Sequence, residues 1–101
     1  MQNKLMMLMF ENRTLVLDNQ DILVERAEEF IRDCYMQTGD KKIFVTVGEL
    51  YRNEKDAVSS VAIRDNLDVI RDGLEKHGYN VRIEEKWSDI DGYYNCIAVS
   101  V

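Results

Sequence analysis

Proline does not occur in this chain of 101 residues, which excludes a Pro-rich ligand segment and a Pro-stiffened linker. Histidine occurs once, at His77, so a histidine-centred metal site or a Ser-His-Asp arrangement has almost nothing to build on. His77 instead falls in the last turn of an expected helix, where the helix dipole favours positive charge. The two cysteines, Cys34 and Cys96, are too few and too far apart for a disulfide framework or a zinc site. Both read as small buried side chains in a reducing compartment. The five glycines are scattered at 39, 48, 73, 78 and 92, and no phosphate-cradling loop can be made from them. No apolar run reaches the length of a membrane span. The first ten residues, though largely apolar, are shorter than a signal-peptide core and lack a small-residue cleavage site. A cytoplasmic protein is the expectation, and without secretion the sequon Asn12-Arg13-Thr14 carries no meaning.

Positive charge is also in short supply. Thirteen Lys and Arg stand against nineteen Asp and Glu, a formal net charge of −6. That balance disfavours broad nucleic-acid binding, whose affinity comes mainly from phosphate contacts. It fits a basic protein partner, or no electrostatically driven partner at all. What the chain does have is 46% hydrophobic and 32% charged residues, the make-up of a globular domain. Its length suits one core, and one α+β domain over 1–101 is expected.

Most of the order is carried by the second half. Ile63, Leu67, Ile70 and Leu74 recur at helical spacing, so 59–77 reads as one long helix, capped by Ser59 or Ser60 and stopped at Gly78. Its outer face pairs Arg64 with Asp68, Arg71 with Glu75 and Asp72 with Lys76. Gly73 interrupts it at a cost of about 1 kcal/mol relative to alanine; either another backbone passes close to it or the cost is tolerated. The period then changes to two. Val81, Ile83 and Trp87 face one way, Arg82, Glu84 and Lys86 the other, and Ile97, Val99 and Val101 alternate on a return strand. Ser88-Asp89-Ile90-Asp91-Gly92 is the hairpin loop. The apolar end at Val99-Ser100-Val101 is a candidate exposed edge for pairing with a second copy.

In the first half, 5–10 and 14–17 read as two short strands around a polar turn. The cluster Met6-Met7-Leu8-Met9 is core filler or a dimer contact. A helix capped near Asp18-Asn19-Gln20-Asp21 places Leu23, Ala27, Phe30, Ile31 and Cys34 on one side, with a Glu28–Arg32 pair on the other. It ends at Thr38-Gly39-Asp40. Ile43-Phe44-Val45-Thr46-Val47 is a buried strand. Thr46 and Glu49 have capping-box spacing, so a short helix begins there, or else the strand runs on to Leu50. Residues 53–56 read as a polar turn. The expected core is Ile43, Val45, Ile63, Leu67, Ile70, Leu74, Ile83, Ile97 and Val99.

From Asp21 onward the order helix, strand, short helix, turn, long helix, strand, loop, strand resembles the winged helix-turn-helix family. The ending Leu74-Glu75-Lys76-His77-Gly78-Tyr79 is similar to the end of that family's recognition helix. The resemblance implies a recognition helix over 59–77 that reads DNA with Ser59, Ser60 and Arg64, and a wing at 88–92; dimerisation through the Met-rich start and a local cluster of Arg64, Arg71 and Lys76 are the two devices that could offset its charge. Between Thr46 and Gly92, however, seven Lys and Arg face eleven Asp and Glu, where a DNA reader needs positive charge. The alternative fold is an α+β sandwich, with two main helices on one face of a small antiparallel sheet that ends in a C-terminal hairpin.

No catalytic signature accompanies either fold, so the chain reads as a non-enzymatic protein without cofactor or metal. Asp89-Ile90-Asp91-Gly92 fails as a calcium loop, because the twelfth position, which needs glutamate, is Ser100. Trp87, Tyr93 and Tyr94 beside acidic residues have the make-up of a protein-contact hot spot with a polar rim, or of cross-strand pairs that fix register. Tyr94, opposite the Ile97–Val99 face, is the expected exposed aromatic. The leading expectation is an acidic interaction module, an inhibitor or adaptor of the phage-accessory type, that meets a basic surface of a protein partner through Trp87, Asp89, Asp91 and Tyr94. The alternative is a winged-helix DNA-binding regulator.

Overall fold

A computed structural model describes residues 4–53 and 55–101. The expectations for Met1, Gln2, Asn3 and Glu54 lie outside the described residues. Among these residues the order is α1 (Lys4–Asp18), α2 (Gln20–Thr38), β1 (Lys42–Val45), α3 (Val47–Leu50), α4 (Ser60–Asp65), α5 (Leu67–Lys76), β2 (Asn80–Ser88) and β3 (Gly92–Ser100). The strands form one antiparallel sheet in the order β1-β3-β2. This is an α+β architecture with a C-terminal hairpin.

Alternation along the strands splits the sheet into two faces. Ile43 and Val45, Val81 and Ile83, and Ile97 and Val99 join Leu23, Val24, Ala27 and Ile31 of α2 and Ile63, Leu67, Ile70 and Leu74 in one core. Every expected core residue is there, Ile83 as a partly buried member. The opposite face carries Phe44, Arg82, Glu84, Lys86, Tyr94, Cys96 and Ala98. On it the Lys86 ammonium lies 3.6 Å from the centre of the Phe44 ring.

Several expectations are corrected. Val99-Ser100-Val101 is not an exposed edge, because β3 is the middle strand and Ser100 lies opposite both Lys42 and Asn80. The start of the chain is helix, not a pair of strands: α1 runs unbroken from Lys4 to Asp18. Its leucines, methionines, lysine and glutamate are strong helix formers, and no glycine or proline interrupts them. The helix expected over 59–77 is two helices. They meet at Asn66, whose backbone lies at φ −134°, ψ 35°. The buried Asn66 side chain donates to the Ala62 carbonyl at 2.8 Å, a local bond that competes with the helical ladder. The break takes Arg64 and Asp68 out of helical register, so Arg64 pairs with Asp65 and Asp68 with Arg13 of α1. Asp72 likewise meets Arg71 and not Lys76, while the Arg71–Glu75 pair stands at 3.8 Å. Glu28, expected to pair with Arg32, accepts from the Tyr79 hydroxyl and meets the His77 ring at 3.0 Å, tying α2 to the end of α5.

The endings follow local chemistry. Past α5, Tyr79 N–H bonds the Leu74 carbonyl and Gly78 N–H that of Glu75, with Gly78 at φ 94°. That double bond pattern needs a left-handed residue at Gly78. The strand reading of 43–50 is settled in favour of the short helix, since β1 stops at Val45. Gly73 is explained by α2: a Cβ there would stand 2.5 Å from a Val24 methyl.

Candidate interaction surface

The β2–β3 hairpin outruns the rest of the sheet. β1 pairs only with the far end of β3, from Val45 opposite Ile97 to Lys42 opposite Ser100. The hairpin itself continues to Ser88 opposite Gly92. Its three-residue loop closes with Gly92 at φ 70°, and the Ser88 hydroxyl accepts the Asp91 N–H at 2.9 Å.

Three apolar side chains stand in solvent at this tip: Ile90 is 93% exposed, Tyr93 71% and Trp87 59%. Trp87 and Tyr93 are cross-strand partners with ring centres 4.9 Å apart at 62°, an edge-to-face pair. Asp89 and Asp91 flank Ile90, both exposed. Tyr94, expected to be the exposed aromatic, is half-buried on the other sheet face opposite Lys86. Tyr93 takes that place, because the helices do not reach as far along the hairpin as its own face does.

Beside the tip lies a groove of about 770 Å³. Its walls are Thr46 with Val47 and Gly48 at the start of α3, the start of α4 with Ser60, Val61, Arg64 and Asp65, and the loop residue Asp91 with Tyr93, Tyr94 and Asn95 of β3. Two groups of expected site residues that were assigned to rival functions therefore share one cleft: Ser60 and Arg64 with Asp91 and Tyr94. Trp87 and Asp89 sit outside it, at the tip. Ser59 caps α4, its hydroxyl oxygen accepting the Ala62 N–H at 3.1 Å. The sequence reading missed Ile90 and the Val47-Gly48 wall. An isoleucine between two aspartates in a turn was the available signal for the first, since nothing in a three-residue loop can bury it.

Charge in the groove is weakly acidic. Arg64 is the one cation on its walls among the described residues, and it is bound to Asp65 at 3.0 Å, with Asp91 across from it. The outer sides of α4 and α5 carry Asp65, Asp68, Asp72 and Glu75, and Arg64 and Arg71 are held by Asp65, Asp72 and Glu75. Among the described residues no three His, Cys, Asp or Glu side chains are grouped to hold a metal ion, and no helix is long and apolar enough to cross a membrane.

No protein-family model, curated protein or solved structure matches the chain.

Proposed function

We propose that this is a non-enzymatic protein-interaction module, an inhibitor or adaptor that uses the hairpin tip to engage a basic surface of another protein. The observation that carries this reading is the trio Trp87, Ile90 and Tyr93, held in solvent on a hairpin and rimmed by Asp89 and Asp91. Aromatic and aliphatic anchors inside a charged rim are the usual make-up of interface hot spots. The acids add steering toward a basic partner. A cytoplasmic setting suits a chain whose cysteines are both free.

The test is affinity capture from the native host with wild type, Trp87→Ala and the double reversal Asp89→Lys/Asp91→Lys. A specific partner retained by wild type and lost by both variants is expected. Capture that is indifferent to both variants overturns the reading.

The second reading, a winged-helix DNA-binding regulator, is favoured by the element order from α2 to β3, helices and a strand followed by a C-terminal hairpin. The acids along α4 and α5 oppose it, since a duplex offers phosphates to that surface. Retardation of a random duplex at low salt would reverse the order of the two readings.

Either module is proposed to act as a homodimer through α1. Residues 5–10 are six consecutive apolar side chains covering every side of the helix, from Leu8 at 53% exposed to Phe10 at 75%. Lys4 and Glu11 bracket the run. Two α1 helices laid antiparallel about a two-fold axis bring Lys4 of each beside Glu11 of the other, a self-complementary match.

A further inference from the structure

The parity of the β3 backbone determines what the groove is built to take. The Val101 N–H donates to the Lys41 carbonyl at 2.8 Å. In an antiparallel ladder, alternate residues bond to opposite neighbours. Val101, Val99 and Ile97 therefore turn their peptide groups toward β1, and Ser100, Ala98 and Cys96 turn theirs toward β2. The pairing with β2 keeps one unbroken register from Ser100 to Gly92, so the alternation continues to the tip. Tyr94 and Gly92 bond to β2. Tyr93 and Asn95 point their N–H and C=O groups to the side where β1 would lie, and β1 has already turned away at Val45 into α3.

That open side is the groove. Tyr93 and Asn95 line it, and among the described residues no strand lies opposite them. The lane is thus walled by Val47 and Gly48 at the end where β1 stops and by Val61, Arg64 and Asp65 along its length. Two peptide units about 7 Å apart along β3 present both a donor and an acceptor to it.

We infer that the groove is a strand-addition site: an extended segment of another protein lies along β3 from Asp91 to Asn95, in line with β1, and bonds to the peptide groups of Tyr93 and Asn95. The segment's chemistry follows from the walls. Backbone pairing supplies affinity without regard to sequence, and the side chains on alternate positions supply choice. Val61 and the Tyr93 ring, both exposed, accept an apolar side chain, and Asp91 calls for a lysine or arginine next to it, Asp65 being held by Arg64. This inference rests on the interaction-module reading and names the form of its partner: a basic, extended stretch of chain, bound beside the hairpin tip.

Asn95→Pro isolates the claim. Position 95 gives no bond to β2, so losing its N–H leaves the hairpin ladder whole while removing one donor from the lane. Gly48→Trp is a second route, since Gly48 is exposed and a Cβ there meets only the Thr46 hydroxyl at 3.7 Å. Gly48 lines the groove, so the ring takes up space there while leaving the β3 sequence unchanged. The probe is a displayed library of random twelve-residue peptides, selected on the full wild-type chain. Selected peptides are expected to place Lys or Arg beside an apolar residue, and to bind at least ~10-fold more weakly to both variants. Binding is expected to slow amide exchange at Tyr93 and Asn95 and to leave Tyr94 and Cys96 unchanged.

Selected peptides that bind Asn95→Pro and Gly48→Trp as tightly as wild type overturn the inference, as does a selection with no enrichment. If those peptides are instead lost on Asp89→Lys/Asp91→Lys, the acidic hairpin tip keeps its role and only strand addition falls. If the double reversal leaves host capture intact while Asn95→Pro abolishes peptide binding, the strand site stands and the tip reading falls.

Discussion

Arg13 of α1 donates at 3.1 Å to the side-chain oxygen of Asn66, at the break between α4 and α5. The same guanidinium grips Asp68 at 2.9 and 3.2 Å, and Asn66 passes the connection on to the Ala62 carbonyl. Together with the buried Val16, these bonds tie α1 to the junction of α4 and α5. Asn66→Ala strands a buried carbonyl and removes one arm of the clamp, so a loss of about 1–3 kcal/mol is expected in urea unfolding. Arg13→Ala acts on a half-exposed, solvent-screened pair and is expected to cost less than Asn66→Ala.

Gly73→Ala is expected to destabilise although alanine is the better helix former. The gain in propensity is about 1 kcal/mol. Against it, the new methyl would sit 2.5 Å from Val24 and 3.3 Å from Gln20. Val24 is stiff at χ1, so relief requires α2 and α5 to separate, and overpacking of this kind costs about 1–3 kcal/mol. A lowered urea midpoint with an unchanged slope checks it. A raised midpoint would mean that the helices part easily.

Helix α1 allows a separation of assembly from stability. Met7→Glu/Leu8→Glu touches no buried side chain, so the protomer is expected to keep its unfolding free energy within about 0.5 kcal/mol. Sedimentation is expected to change from dimer to monomer. Lys4→Glu alone should weaken the dimer, and Lys4→Glu/Glu11→Lys should restore it, since the antiparallel match is regained with its signs exchanged. A wild-type chain that sediments as a monomer at 100-fold excess over a micromolar Kd, about 100 μM, removes the dimer from the account.

Acid is expected to loosen two particular joints. Hydrogen bonds from Arg26, and then from the Arg52 amide, hold the Asp56 carboxyl below its ordinary value of 3.8. Hydrogen bonding to Arg13 does the same for Asp68. Both groups have depressed folded-state values, so the stability they supply is complete above the unfolded value and disappears as pH falls through the folded one. Thermal unfolding is therefore expected to be flat in these contributions at neutral pH and to decline below about pH 4. Asp56→Asn and Asp68→Asn should each be less stable than wild type at pH 7, with the gap narrowing in acid. A gap that stays constant down to pH 2 would count against these pairs.

Trp87→Ala removes one edge-to-face partner from an exposed stretch of hairpin. A stability loss of about 0.5–1.5 kcal/mol is expected, small beside its effect on partner capture. Equal losses in both would make the pair a register device and nothing more.

The sequence was most readable where its period was clean. Val81, Ile83, Ile97 and Val99 alternate, and Ile63, Leu67, Ile70 and Leu74 recur at three and four, and all of them reached the core. The start of the chain was misread because six apolar residues in succession have no period, and strand and helix fit them equally. Exposure made the error harder to detect, since no face of 5–10 is turned to the core. The break at Asn66 was hidden for the opposite reason: apolar spacing runs through it undisturbed, because α4 and α5 both lay their apolar sides on the same core. Tyr93 and Tyr94 show a different limit. Alternation told which face each ring joins, but not that the helices stop short of the hairpin tip, which is a property of element lengths.

Cys96 sits at full burial on the sheet face turned away from the helices, beneath long side chains and not beneath another element. Its cross-strand neighbour is Glu84, and near it Lys42 and Lys86 fold their stems toward the Phe44 ring. Burial pushes the thiol above its ordinary value, so the sulfur is both hidden and protonated. A thiol-specific dye can reach it only when those stems swing aside or the strands part. The rate of labelling at Cys96, compared with the half-buried Cys34, would thus act as a built-in clock for how often this roof of side chains opens.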